Sequence, residues 1–364
     1  MRIAFYAPLK SPVHPVPSGD RQMARMLMRS LELAGHDVSL ASAFRAYRAD
    51  PLSDGGLDRL VRDAAAETET ITRAWELHGA PDLWFSYHSY YKAPDLLGPS
   101  LAERFGLPMV TAEASYAGKR DVGPWAAMQA AAMRPVLSAL RNVCFTARDF
   151  EGLARIAPRE SLAMLFPFID TQPFAAGRPA CHEPRIVTIA MMRPGDKMAS
   201  YRLLAAALRR IADRNWTLRV IGDGPCRAEV EALFSGVAEN RIEWLGERRG
   251  DEIPGLLEGT LFAWPGCGEA YGLAYLEAQA AGLPVVAQAT AGVPEVVRHG
   301  ETGLLTPEDD TEAYASALAE LLASPEKRRE MGVAARRFVL DHRSLPSAAT
   351  RLSALLQGIA PHER

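Results

Sequence analysis

Residues 265–305 read PGCGEAYGLAYLEAQAAGLPVVAQATAGVPEVVRHGETGLL. The stretch opens on a turn-like run, PGCGEAYG, and then becomes apolar at helical spacing from about Leu273 to Ala281. Gly282 stops that helix, Pro284 follows, and Val285–Ala287 reads as a buried strand. A second glycine turn, Ala291-Gly292-Val293-Pro294-Glu295, leads into another short apolar run. Two carboxylates punctuate the pattern. Glu269 lies in the loop and Glu277 on the helix, with seven residues between them. The first N–H groups of a helix have no partner within it, so a helix start behind a glycine loop can face a diphosphate. Carboxylates accept hydrogen bonds and suit sugar or ribose hydroxyls. The stretch is therefore written like a site for an anionic, hydroxyl-rich ligand.

The rest of the chain sets the frame for that site. Its 364 residues suggest two domains at about 150 residues each. With 48% hydrophobic and 23% charged residues, each half can bury a core. A net charge of -3 gives no general attraction for nucleic acid. No apolar stretch approaches the roughly 20 residues of a membrane span. The start, MRIAFYAPLKSP, reads as a strand and not as a signal peptide. Cys144, Cys181, Cys226 and Cys267 are scattered without metal-ligand spacing. The expectation is a cytoplasmic enzyme with free thiols, for which a peripheral place at the inner face of a membrane stays open.

In the N-terminal half, Arg2 to Ala7 reads as a first strand, followed by the proline-rich loop PLKSPVHPVPSGD. Ser18-Gly19-Asp20 can cap a helix running to about Ala34, and the strand His36–Leu40 comes next. This is a parallel βαβ opening. PDLWFSYH reads as a strand ending at His88, PMVTAEASY as one ending near Glu113, and NVCFTA (142–147) as a further buried strand. Ligands of open α/β sheets bind beyond the carboxyl ends of the strands, which brings Gly19, His88 and Glu113 to one crevice. On the first helix Arg21, Arg25 and Arg29 form a stripe opposite Met23, Leu27 and Leu31. A solvated face is the simpler reading of that stripe, and a surface toward a membrane-bound acceptor is the other.

DTQPFAAGRPACHEP (170–184) breaks the pattern and reads as an interdomain linker. Beyond it, Arg185 to Ala190 reads as a strand and MMRPGDKMAS as a loop holding Arg193 and Lys197, with a helix from Tyr201. TLRVIGDGP (217–225) is a strand running into the turn Gly222-Asp223-Gly224. RIEWLGERRG (241–250) gives another strand and turn, and two helical runs follow from about residue 312.

Taken together, residues 265–305 closely resemble the signature of retaining glycosyltransferases of the GT-B fold, in the large family numbered four, the group 1 glycosyltransferases. The resemblance is strong over 185–305 and looser before. It implies an α/β protein of two Rossmann-like domains whose parallel sheets face across a cleft. Residues 1–170 would form an acceptor domain and 171–342 a donor domain. A last helix in about 343–364 would cross back to the first domain through Leu345, Leu352 and Leu355.

The activity implied is transfer of a sugar from a UDP- or GDP-sugar to a hydroxyl acceptor, with retention at the anomeric carbon. The acceptor would be a glycan, a lipid-linked molecule or a small molecule, in glycan, polysaccharide or glycolipid synthesis. Glu277 would hold the ribose hydroxyls and Glu269 the transferred sugar. Gly272 and Leu273, with Tyr271 beside them, would meet the diphosphate. Arg193 and Lys197 would neutralise it in place of a metal ion, so no metal or other cofactor is expected, and the chain holds no Asp-x-Asp. The loop at Gly222 would lie close to the nucleotide, and Gly19 in the first loop is counted on the donor side.

The N-terminal resemblance continues through Gly35-His36-Asp37-Val38, with two departures. Members usually have two glycines in the first loop, and this chain has Gly19 alone. Members commonly carry histidine where Val110-Thr111-Ala112 is followed here by Glu113. Glu113 thus becomes a candidate to orient the acceptor or take its proton, the plainer alternative being a loop carboxylate paired with Lys119 or Arg120. His88 matches a weaker family position and is either catalytic or a packing residue. Two other readings stand beside the transferase. A sugar-nucleotide epimerase or hydrolase is disfavoured by the pair at 269 and 277, and a binding protein without turnover is kept open by Glu113.

Overall fold

The structure, a computed structural model, describes residues 1–52, 55–175, 183–237 and 239–359. Part of the expected linker, 176–182 with Cys181, lies outside them, as do residues 360–364 of the expected C-terminal segment. The chain divides into two compact units: Met1–Phe166 with the chain from Leu345 onward, and Pro167–Ser344.

The first unit runs β1 (Arg2–Tyr6), α1 (Gly19–Leu33), β2 (Asp37–Ser42), α2 (Gly56–His78), β3 (Leu83–Tyr87), α3 (Gly98–Phe105), β4 (Met109–Ala112), α4 (Ala126–Ser138), β5 (Arg141–Cys144), α5 (Ala147–Leu153) and β6 (Leu162–Met164). Its six strands lie in the order β2-β1-β3-β4-β5-β6. Every pairing is parallel. The central strands are buried along their whole length and mostly apolar; all of Leu83-Trp84-Phe85-Ser86-Tyr87 is buried. That composition suits a parallel sheet covered on both faces.

Two expected elements shift here. The strand expected over 142–147 stops at Cys144, because Thr146 caps α5 by accepting from the Asp149 N–H. Residues 56–78 form the long helix α2, which the sequence reading does not include. On α1 the apolar stripe is buried as expected: Met23, Leu27 and Leu31. The arginine stripe is not simply solvated. Arg21 donates to the carbonyls of His14 and Pro15, and Arg25 to that of Pro12, so the helix clamps the proline-rich loop.

The second unit runs β7 (Arg185–Ile189), α6 (Asp196–Arg210), β8 (Thr217–Ile221), α7 (Arg227–Leu233), β9 (Ile242–Gly246), α8 (Ile253–Leu256), β10 (Leu261–Ala263), α9 (Leu273–Ala280), β11 (Val285–Gln288), β12 (Gly303–Thr306), α10 (Thr311–Ala323) and α11 (Pro325–His342). Its six strands are ordered β12-β11-β10-β7-β8-β9, again parallel throughout. The chain ends in α12 (Leu345–Leu356), which packs on α1 of the first unit. Leu345 and Leu352 are buried there as expected, but the third buried leucine is Leu356; Leu355 is only half-buried.

Both sheets reverse strand order once: between β1 and β3 in the first unit, and between β7 and β10 in the second. Loops leaving adjacent strands at such a point run to opposite faces of the sheet and open a crevice at the strands' carboxyl ends.

Candidate active site

At the β7/β10 reversal, α6 starts five residues earlier than the sequence suggests. Gly195 takes φ 83 as N-cap, and Lys197 is the second helical residue, not a loop residue. No side chain caps the start of α6 or of α9, whose N-cap is Gly272. The Lys197 ammonium forms an ion pair with Glu269 across the reversal. It also lies 5.4 Å from the centre of the Trp264 ring, which packs edge-on to Tyr201 at 4.9 Å. Trp264 is buried, and among the described residues its indole N–H has no hydrogen-bond partner. Arg193 stands exposed in the same loop.

The glycines of this region are set by close approach. A Cβ on Gly272, at φ 75, would sit 2.6 Å from the Tyr275 ring, whose hydroxyl donates to the Trp264 carbonyl at 3.1 Å. A Cβ on Gly222 would meet the Ala190 carbonyl oxygen at 1.9 Å, because the loops after β7 and β8 are laced backbone to backbone. The Met192 N–H donates to Asp223 at 2.8 Å, and that of Ala190 to Ile221 at 3.0 Å. Glu277 sits half-buried on α9, Leu273 opens that helix, and Tyr271 is buried just before it. The elements at this reversal carry Arg193, Lys197, Glu269, Gly222 and the start of α9, the residues to which the family resemblance points.

At the β1/β3 reversal the machinery differs. His88 follows β3, and its Nδ1 lies 3.3 Å from Asp20 Oδ1 on the first turn of α1, an ion-pair separation without hydrogen-bond alignment. Glu113 follows β4 and is 7% exposed. Both are non-glycine residues in the left-handed region, with φ 60 at His88 and φ 54 at Glu113. Such a backbone costs on the order of 1 kcal/mol or more per residue and clusters at functional sites. Asp149, in the first turn of α5, accepts from the Thr146 hydroxyl at 2.6 Å.

Charge couples these four residues. Burial works to lower the His88 pKa, but the fields of Glu113, Asp20 and Asp149 overcome it and raise it to about 9. Burial pushes Glu113 up to about 7, against the pull of the His88 charge and with further push from Asp20 and Asp149. The leading charge acting on Glu113 is thus His88, while Arg120 lies over the Tyr91 ring at 4.7 Å.

The structure brings His88 and Glu113 together, as expected. Gly19 opens α1 beside Asp20, but a Cβ there would meet nothing within 4 Å, so close packing does not demand the glycine. Sequence reasoning missed Asp20 and Asp149 as members of the cluster. The signal for Asp149 was the Thr-x-x-Asp spacing that starts α5. For Asp20 it was only its place beside the cap Ser18.

Comparisons with known proteins bear on the family and the fold. The family model described as "Glycosyl transferases group 1" matches residues 183–324, the unit that carries Lys197 and Glu269. The chain is 32% identical to the GDP-mannose-dependent alpha-(1-6)-phosphatidylinositol monomannoside mannosyltransferase of Mycolicibacterium smegmatis, over 77% of each protein. Among solved structures it is similar to the sucrose-phosphate synthase of Thermosynechococcus elongatus, with a TM-score of 0.76, 19% identity and 98% of both chains covered. Anabaena HepE in complex with UDP is likewise similar, with a TM-score of 0.71, 14% identity and 98% and 99% covered. With two parallel six-stranded sheets and a relative 32% identical over 77% of each protein, the chain belongs to the group 1 glycosyltransferases of the GT-B fold.

Proposed function

We propose that this glycosyltransferase moves a sugar from a nucleoside diphosphate donor, a UDP- or GDP-sugar, to a hydroxyl of a glycan, lipid-linked or small-molecule acceptor. We propose further that it works in the cytoplasm, with retention and without a divalent metal. The observation that carries the reading is the Lys197–Glu269 pair between two uncapped helix starts. A diphosphate arriving there takes the ammonium, the exposed Arg193 and free backbone N–H groups. Glu269 is then released to accept from the sugar hydroxyls, and Glu277 serves the ribose. Charge-assisted hydrogen bonds contribute about 1.5–3 kcal/mol each. Cations fixed before reaction stabilise the charge growing on the leaving diphosphate in the transition state. The resemblance of residues 265–305 to retaining enzymes supports retention, and Arg193 with Lys197 supports metal independence.

In the first unit Glu113, pushed up to about 7 beside a charged His88, is suited to draw off the acceptor proton near neutral pH. Calorimetry with UDP, GDP and ADP tests the donor half. A ligand at 100 times its Kd should add about 2.7 kcal/mol of stability. No binding of any of the three at millimolar concentration rejects the reading. NMR of the product's anomeric proton tests retention. Activity lost in EDTA and restored by a divalent ion rejects metal independence.

A further inference from the structure

A row of rings leads away from His88 along the first unit. Its ring centre lies 5.2 Å from that of Tyr90, Tyr90 lies 5.3 Å from Tyr91, and Tyr91 lies 5.0 Å from Trp125. The row is held rigidly. Tyr90 and Ala93 exchange backbone hydrogen bonds at 3.2 and 2.8 Å, so Tyr91 and Lys92 sit at the tip of a tight turn. The turn is anchored from below by Asp95, buried in the core. Asp95 accepts from the Trp84 indole at 2.9 Å and from the Leu97 and Gly98 N–H groups at 3.0 and 2.8 Å, and its own N–H donates to Ser89.

Two cations lie on the far end of the row. The Arg120 guanidinium covers the Tyr91 ring at 4.7 Å, and the Lys92 ammonium lies 5.5 Å from the centre of Trp125. Lys92 also donates to the Ala49 carbonyl at 2.8 Å. Arg120 differs from it: among the described residues it has no ion-pair partner, and its Nε is buried without a hydrogen bond. The acid next to it in sequence, Asp121, is engaged by the Tyr116 hydroxyl. A guanidinium taken partly out of water with no counter-charge is unfavourable unless something completes it. A guanidinium stacked flat on a ring keeps its N–H edge free for an oxyanion, which it can bind with two parallel hydrogen bonds.

We infer that this row is an acceptor subsite, and that the acceptor carries a phosphate. The reacting hydroxyl lies at the His88–Glu113 end, and the phosphate sits on Arg120, two ring contacts away. The two ends have opposite sign. Around His88 stand Asp20, Glu113 and Asp149, a surplus of acid that repels a phosphate, so the anion is directed outward and the neutral hydroxyl inward. The inference rests on the transferase reading above for what the site is used for. Its chemistry, binding of a phosphorylated polyol, is tested apart from transfer.

The probes are glucose and glucose 6-phosphate titrated into the full chain, with inorganic phosphate as competitor. Vesicles of phosphatidylcholine, with and without phosphatidylglycerol, separate a lipid phosphodiester from a soluble phosphate. We expect glucose 6-phosphate to bind at least about tenfold tighter than glucose, one charge-assisted contact's worth, and inorganic phosphate to displace it. R120Q should abolish the preference and R120K should keep part of it, which also covers a failure of R120Q to fold. Neither should change UDP or GDP affinity. Capture by phosphatidylglycerol vesicles that R120Q abolishes assigns the phosphate to a lipid, and binding of the soluble probe without capture assigns it to a free polyol phosphate. Equal affinity for the two sugars together with no Arg120-dependent capture overturns the inference. So does a preference that survives R120Q. Nucleotide binding by the same parent protein keeps the two readings apart: if UDP or GDP binds and no phosphate preference exists, only the acceptor inference fails.

Discussion

The two strand reversals solve one geometric problem with opposite materials. Each is spanned by an ion pair from the helix after the first flanking strand to the loop after the second: Asp20–His88 in one unit and Lys197–Glu269 in the other. The polarity is reversed. In the second unit the helix supplies the cation, and the tight corners around it are glycines at 195, 222, 266, 268 and 272. Backbone comes close there, and a ligand's phosphates can meet N–H groups. In the first unit the helix supplies the acid, and the left-handed corners are occupied by His88 and Glu113 themselves. Functional side chains there stand at the price of backbone strain. In the proposed function, the second unit's arrangement serves a ligand's charge and the first unit's a proton.

If that contrast is right, the largest single effect belongs to the proton site. Glu113→Gln should lower turnover by about 10²–10⁴-fold, the usual range for general-base help, while leaving nucleotide affinity unchanged. A variant that turns over at the parental rate removes Glu113 from the chemistry.

The donor pair gives the next test. Lys197→Ala should cost about 10²–10³-fold in kcat/KM for the donor, the loss seen when one preorganised charge-stabilising donor is removed. Glu269→Ala frees the Lys197 ammonium, so UDP or GDP affinity should hold or tighten while sugar transfer falls. Equal weakening of nucleotide binding in both variants, measured by calorimetry, breaks the proposed division of labour.

Asp20→Asn acts through His88 without touching the donor site. With one of its supporting charges removed, the His88 pKa should fall from about 9, and the alkaline limb of the rate profile should move to lower pH. An unmoved limb would mean that His88 does not titrate in the rate.

The last test is on stability. The His88 pKa rises from 6.5 to about 9 and that of Glu113 from 4.5 to about 7. Both folded values exceed their ordinary ones, so the native state holds protons that the unfolded chain releases. Their contribution is complete below about pH 4.5 and is lost as pH rises through 7 and then 9. Melting temperature should therefore decline between pH 6.5 and 9, and His88→Gln should flatten the upper part of that slope.

The same contrast explains what the sequence revealed. Glycine corners are readable because the residue type itself marks the backbone, and Gly266, Gly268 and Gly272 stand in register with Glu269 and Glu277 in one continuous run. The start of α6 is hidden in the sequence because Asp196, Lys197 and Ser200 look like loop residues; the helix is fixed by packing of Met198 and Tyr201. The proton site is assembled from four separate chain segments, and nothing near Asp20 or Asp149 in the sequence points to His88. Its electrostatics come from burial and from charges distant along the chain, which no local pattern encodes. The sequence offers Arg120 as a partner for Glu113, whereas in the structure it stacks on Tyr91, a pairing that depends on where two turns meet.

The helix α12 carries a consequence for biosynthesis. It packs on α1, yet it is translated only after the whole second unit. On the ribosome the second unit is one continuous segment and can fold as soon as it emerges. The first unit must wait for Leu345 to Leu356 before α1 gains this helical neighbour. Premature termination between Ser344 and Leu352 would leave a folded second unit joined to a first unit that lacks most of this helix and its buried leucines.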